Sequence, residues 1–268
     1  MGLDLDQRQR AMLEEMHVRV WWPDAEPPVA AREQASKSAA AIDRTVARPQ
    51  VRAEPPAPSE GAPVQPLAEL DAMDWSALAR TVSSCTACQL CSGRKAAVFT
   101  PEPMPRQADW LVLGEPPDEQ EERAASPFAG RSGELLDNML RAVHLTRTGV
   151  GSAGARLTNV VKCRPAAVRN PQTDELATCA RYLRREIALV QPRVILAMGR
   201  FAAQTLLATN HPELAGLPFG KLRGQVYRYE GVPVVVTHHP TRLLRAQEDK
   251  AGAWADLCLG LSVARRPA

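Results

Sequence analysis

The stretch TDELATCARYLRREIALVQPRVILAMGRFAAQTLLA, residues 173–208, carries the pattern that decides the fold. Its first half places Leu176, Ala180, Leu183, Ile187 and Val190 at helical spacing. Thr173 is the expected N-cap, and Asp174 and Glu175 sit in the first turn, where acids suit the positive end of the helix dipole. RVILAMG (193–199) is then a continuous apolar run, the mark of a strand buried on both faces. RFAAQTLLA (200–208) returns to the helical period. Working outward, DWLVLGE (109–115), RLTNVVKC (156–163), QVYRYE (225–230) and PVVVTHH (233–239) read as further strands. GELLDNMLRAV (133–143) is a helix with Leu136, Met139, Leu140 and Val143 inward. A last helix carries Trp254, Leu257, Cys258 and Leu261 on its apolar face. This alternation predicts an α/β fold, a three-layer α/β/α sandwich around a central, mostly parallel sheet. In such sheets ligands bind beyond the carboxyl ends of the strands. Glu115, Asn159 and the pair His238-His239 all fall at that rim.

The rest of the chain differs in kind. Of 268 residues 23 are proline, many of them between Asp24 and Pro66, where aromatics are absent and no apolar period runs. That composition cannot offset its own ordering entropy, so residues 24–70 are expected to be a disordered tether. Before it, Leu5, Met12, Met16 and Val20 share one helical face ahead of Trp21-Trp22. Residues 1–23 are therefore expected to form a short amphipathic helix, docking on its own domain or offering residues 5–22 to a protein partner. The folded domain is expected over 71–268. A net charge of +3 permits a nucleic-acid partner without requiring one. Asp4, Asp6 and Arg8 interrupt any leader-like run, and no stretch reaches the ~20 apolar residues of a membrane span. A cytoplasmic, nucleoid-associated monomer is expected.

In that compartment six cysteines need a reason other than disulfides. Cys85 and Cys88 form a CxxC elbow with Cys91 just beyond, while Cys163 closes a strand and Cys179 lies in the following helix. Four thiolates could converge on zinc or on an iron–sulfur cluster, with Cys91 competing for a place. Cys258 reads as plain core.

Five blocks, CTACQLCSGR (85–94), LGEPPDEQEERAASPFAGRSGELLDNML (113–140), LTNVVKCRP (157–165), VILAMGRFAAQTLL (194–207) and THHPTRLLRAQEDK (237–250), resemble the family 4 uracil-DNA glycosylases in the same order. The resemblance runs from Cys85 to the last helix and implies a [4Fe–4S] cluster held by Cys85, Cys88, Cys163 and Cys179, with Cys91 a bystander. It implies removal of uracil from single- or double-stranded DNA. Phe128 would stack on the flipped base. Asn159 would read its O4/N3 edge by donating and accepting at once, and Glu121 would guard against thymine's methyl group. His239 would stabilise charge on O2, and Glu115 would position or activate water. Arg131, Thr241, Arg245 and Lys250 would touch phosphates, and Arg242 with Leu243 would fill the vacated stack. His238 would be a neighbour without that role.

Two departures stand out. The usual GEAPG or GEGPG is here Gly114-Glu115-Pro116-Pro117-Asp118, and KCRPPGNR is KCRPAAVR, with Val168 in place of an asparagine. A second reading follows from them: a catalytically weakened iron–sulfur DNA-binding adaptor that acts through its N-terminal helix.

Overall fold

The computed structural model describes residues 67–265, apart from 101–106, 167–168, 209 and 215. The expected N-terminal helix, most of the tether and Val168 lie outside those residues. Five strands form one sheet, β1 (Ala108–Gly114), β2 (Gly151–Asn159), β3 (Val194–Met198), β4 (Val226–Tyr229) and β5 (Val232–Thr237), in the order β2-β1-β3-β5-β4. β1 runs parallel to β2 and β3, and β3 parallel to β5. Only β4 is antiparallel, at the edge beside β5. Glu230 and Gly231 join that pair, both at positive φ (47° and 85°), as a two-residue hairpin turn requires.

Successive strand residues face opposite cores. Leu111, Leu113, Ile195, Ala197, Val234 and Val236 join one cluster, and Trp110, Val112, Val194, Leu196, Met198 and Val235 join the other. Helices α1 (Leu67–Ala72), α2 (Trp75–Ser84), α5 (Thr173–Val190) and α6 (Arg200–Leu207) supply the first, through residues such as Leu70, Leu78, Val82, Leu183, Ile187 and Leu206. Helices α4 (Gly130–Ala142) and α8 (Lys250–Ala264) supply the second, through Leu136, Leu140, Leu257 and Val263. Each fully buried large apolar side chain contributes about 1.5–3 kcal/mol. The three-layer sandwich is therefore the arrangement observed. Two short helices complete it, α3 (Glu119–Ala124) and α7 (Pro240–Arg245). Among the described residues no helix is long and apolar enough to cross a membrane.

Several expectations shift. The boundary placed at residue 70 falls inside α1, whose Leu70 is buried in the core. The N-cap of α5 is Gln172, not Thr173, and the Gln172 N–H donates to Glu175 Oε2 at 2.8 Å. β2 begins five residues earlier than expected and ends at Asn159, so Cys163 lies beyond the strand rather than closing it. The largest correction is α8. Cys258 is exposed and Trp254 is 47% exposed, so neither is core. Leu257 is buried as expected, and the rest of the buried face holds Ala253, Asp256, Gly260 and Val263. Asp256 is drawn inward by an ion pair with Arg223 at 2.8 Å. Gly260 lets α8 lie directly on Trp110, where a Cβ would come within 2.8 Å of the indole.

Candidate active site

The parallel register brings the predicted residues to one rim, because Gly114 at the end of β1 pairs with Asn159 at the end of β2. The chain leaves β1 through Glu115, two prolines and Asp118. Asp118 has its own function: its Oδ1 accepts the Gln120 and Glu121 N–H groups at 2.8 and 2.9 Å, capping α3. The Glu121 carboxylate returns the contact, accepting the Asp118 N–H at 2.8 Å in a capping box. The departure at Asp118 is thus a good local solution for starting a helix.

Glu121 is buried, and its other oxygen accepts the Phe128 N–H at 2.5 Å and the Asn159 amide at 3.1 Å. The second Asn159 N–H goes to the Glu115 carbonyl at 2.9 Å. Both partners are pure acceptors, so the amide can face only one way. Asn159 Oδ1 then points elsewhere, buried and unpartnered. Asn159 therefore presents an acceptor alone, rather than a donor and an acceptor together. Phe128 is 1% exposed, adopts φ +52°, and stacks on the His239 ring with centroids 5.2 Å apart and planes 22° apart. A bulky residue in that backbone region costs about 1–3 kcal/mol and persists only where its surroundings impose it.

His239 ends the loop after β5 and caps α7, its Nδ1 accepting the Thr241 N–H at 3.3 Å. That bond leaves the ring proton on Nε2, which is buried with no partner. Burial lowers the pKa of His239 to about 4, so the imidazole is neutral at pH 7. His238 is committed elsewhere, receiving Arg223 at 2.9 Å and packing on Phe219. Of the two histidines, His239 alone has an unused buried nitrogen.

Glu115 accepts the Phe201 N–H at 2.9 Å at the start of α6. Gly199 precedes that helix with φ +107°, and a Cβ there would come within 2.1 Å of the carboxylate. Burial raises the Glu115 pKa to about 7, although the Phe201 and Ala202 N–H groups and Arg200 act against it. As pH falls through 7 this carboxylate takes up a proton, so any step that needs it ionised slows. The expected profile of single-turnover rate has an acid limb with its midpoint near 7. Glu115→Gln should be slower and lack that limb; a mutant that keeps it would assign the limb to another group.

Five cysteines, Cys85, Cys88, Cys91, Cys163 and Cys179, line one small cavity with Val82, Leu90, Lys162, Thr178 and Tyr182. Four of these sulfurs are hydrogen-bonded. Cys85 accepts from Tyr182 Oη at 3.2 Å, Cys163 from Arg94 at 3.1 Å and Cys179 from the Lys162 N–H at 3.3 Å. Cys88 accepts from the Leu90 backbone. Among the described residues none donates to the Cys91 sulfur, whose residue accepts only at its carbonyl, from the Arg94 N–H at 3.4 Å. Burial pushes the Cys88 and Cys179 thiols up to about 11 and about 12. A free thiolate is thus disfavoured there unless a metal compensates it. Among the described residues no three His, Cys, Asp or Glu side chains close on a point that one ion could occupy. Four hydrogen-bonded sulfurs are instead spread around one apolar cavity. The cavity is tied to the rim. Glu122, next to Glu121, accepts the Lys95 N–H at 2.9 Å and Arg164 at 2.8 Å. The buried Lys162 donates to the Asn159 carbonyl at 2.9 Å and pairs with Glu186. None of these ties could be read from spacing.

The expected DNA-facing residues divide. Arg131, Arg242, Arg245 and Lys250 are exposed, although Arg242 is held by Asp249 at 2.6 Å. Thr241 is half-buried. Leu243 is 1% exposed and packed inward, so it is not placed to fill a DNA stack; its neighbour Leu244 is 38% exposed.

An aromatic ring, a buried unpartnered acceptor and a neutral ring donor stand together at the rim of an α/β sheet, a set that suits a flat heterocycle. A family model described as the Uracil DNA glycosylase superfamily matches residues 101–258. The Type-4 uracil-DNA glycosylase of Pyrobaculum aerophilum is 35% identical over 180 residues, covering 65% of this chain and 86% of that protein. The Archaeoglobus fulgidus protein of the same name is 33% identical over 171 residues, 62% of this chain and 81% of that one. The Thermotoga maritima protein, also of that name, is 32% identical over 170 residues, with shares of 63% and 82%. The chain belongs to the uracil-DNA glycosylase superfamily, alongside its type-4 members.

Proposed function

We propose that the protein hydrolyses the N-glycosidic bond of uracil in DNA and leaves an abasic site for base excision repair. One observation carries the chemistry: Asn159 Oδ1 and His239 Nε2 are buried without partners on either side of the Phe128 network. Buried polar atoms are costly to leave unpaired, and a bound base would satisfy both. Uracil N3 carries a hydrogen that Asn159 Oδ1 can accept. Cytosine N3 carries a lone pair, which that oxygen repels. A base stacked on Phe128 takes the place of the present contact with His239.

As the bond from C1′ to N1 breaks, its electron pair passes to the uracil ring and collects at O2. The neutral Nε2–H of His239 donates there. Water adds to C1′, and Glu115 accepts its proton. Lys162 is buried and paired with Glu186, so it is not free to form a Schiff base. The four hydrogen-bonded cysteines, Cys85, Cys88, Cys163 and Cys179, would hold a [4Fe–4S] cluster, with Cys91 outside the ligand set. The cluster, when bound, supplies cross-links between the segment before β1 and the turn after β2. Asp118, as a helix cap, gives the adaptor reading no support.

The protein acts on DNA as a monomer, with Arg131, Thr241, Arg245 and Lys250 at phosphates and Leu244, rather than Leu243, in the vacated stack. The test is an oligonucleotide with one uracil, cleaved only after alkali. Leu244→Ala is expected to lose about tenfold on duplex and much less on single strands, since only a duplex needs its stack filled. Equal losses on both would remove Leu244 from that position, and no alkali-dependent cleavage by the wild type would sink the function.

A further inference from the structure

The residue that holds Phe128 in place lies outside every motif discussed so far. Arg147, in the turn before β2, points its guanidinium into the loop that carries Phe128. Nη1 donates to the Pro127 carbonyl at 3.0 Å. Nη2 donates to the Phe128 carbonyl at 2.9 Å and to the Gly133 carbonyl at 3.2 Å. Nε donates to Asp137 on α4 at 2.5 Å, which fixes the plane of the fork. From the other side the Glu121 carboxylate takes the Phe128 N–H. Phe128 is thus gripped at both backbone polar groups, and those grips impose its positive φ. Gly133 leaves room for the arrangement, since a Cβ there would lie 1.7 Å from the Phe128 oxygen and 2.8 Å from Arg147 Nη2.

We propose that Arg147 is a positioning residue for base binding, a clamp that presets the Phe128 ring in its stacking orientation before uracil arrives. The inference rests on the reading of Phe128 as the stacking face. A guanidinium is suited to this task because its planar donors reach several carbonyls at once, whereas an ammonium concentrates its charge at one point. Preset geometry lowers the ordering cost of binding, so its loss appears first in affinity.

The experiment compares wild type, Arg147→Lys, Arg147→Met and Phe128→Ala for kcat and KM on a uracil oligonucleotide, inhibition by free uracil, and Tm. Arg147→Lys keeps a cation beside Asp137, so it separates the clamp from the charge. It should raise KM and the uracil inhibition constant about tenfold and leave kcat within about threefold, the pattern of lost uniform binding. Arg147→Met should match or exceed that change; if it does not fold, the lysine variant decides. A residue that served only stability would lower Tm and active fraction and leave uracil inhibition unchanged. If Phe128→Ala weakens uracil inhibition and Arg147→Lys does not, the clamp is overturned and the stacking face stands. If Phe128→Ala leaves inhibition at the wild-type value, the stacking reading falls and takes the clamp with it.

Discussion

Replacing His239 by alanine should lower the rate of uracil release by about 10²–10³, the usual cost of removing one donor aimed at developing charge. The loss should fall on kcat far more than on KM, since the donor matters most once the bond is breaking. Burial holds the ring neutral down to about pH 4, so His239 should add no limb to the pH profile between 5 and 9. A neutral imidazole is well matched to this task, because it needs no proton uptake before the base binds. The substitution also removes the cap that His239 gives Thr241. About 1 kcal/mol of stability should go with it, visible as a small fall in Tm. His238→Ala is the control. Its ring faces Arg223 and Phe219, so its effect on kcat should be at least tenfold smaller. Comparable losses in the two variants would show that the loop, and not the Nε2 donor, carries the chemistry.

The second large effect is expected at Cys179. Its sulfur is buried, accepts the Lys162 N–H, and lies in the core formed by α2 and α5. Cys179→Ala should abolish the visible absorbance of anaerobically purified protein and destabilise it by more than about 4 kcal/mol, the range reached when a structural metal group is lost. Much of the variant should be insoluble. Cys91→Ala should keep both colour and Tm, because no described residue prepares its sulfur for a metal. Retained absorbance in Cys179→Ala, or bleaching in Cys91→Ala, would redraw the ligand set. Iron and sulfide analysis of the five single substitutions, at Cys85, Cys88, Cys91, Cys163 and Cys179, distinguishes these outcomes.

The alternation of strands and helices was legible because strands buried on both faces are apolar throughout, as RVILAMG is. Asn159 and His239 were legible because polar residues that end such runs lie at a rim. The face of α8 was not. That helix is apolar on nearly every side, and the choice is made by Asp256 pairing with Arg223 and by Gly260 meeting Trp110. Neither pairing leaves a mark in local spacing. Leu243 and Leu244 are chemically identical neighbours on a six-residue helix, too short for a period to separate them. Arg147 was hidden for a different reason. Three of its partners are backbone carbonyls 14 to 20 residues away, and a carbonyl has no sequence signature. The double use of Asn159's amide hydrogens also needed three dimensions, since it depends on Glu115 and Glu121 approaching from different elements.

Consecutive glutamates on α3 face different tasks. Glu121 grips Phe128 and Asn159 on the side where the base is read, while Glu122 grips Lys95 and Arg164 on the side of the thiols. A helix advances about 100° per residue. One residue gained or lost between Asp118 and Glu122 would turn each carboxylate into its neighbour's direction and release both grips together. Substitutions in this segment can be absorbed one at a time, as Asp118 illustrates. A change in its length cannot, so the geometry of this segment constrains the spacing of α3 more tightly than its composition.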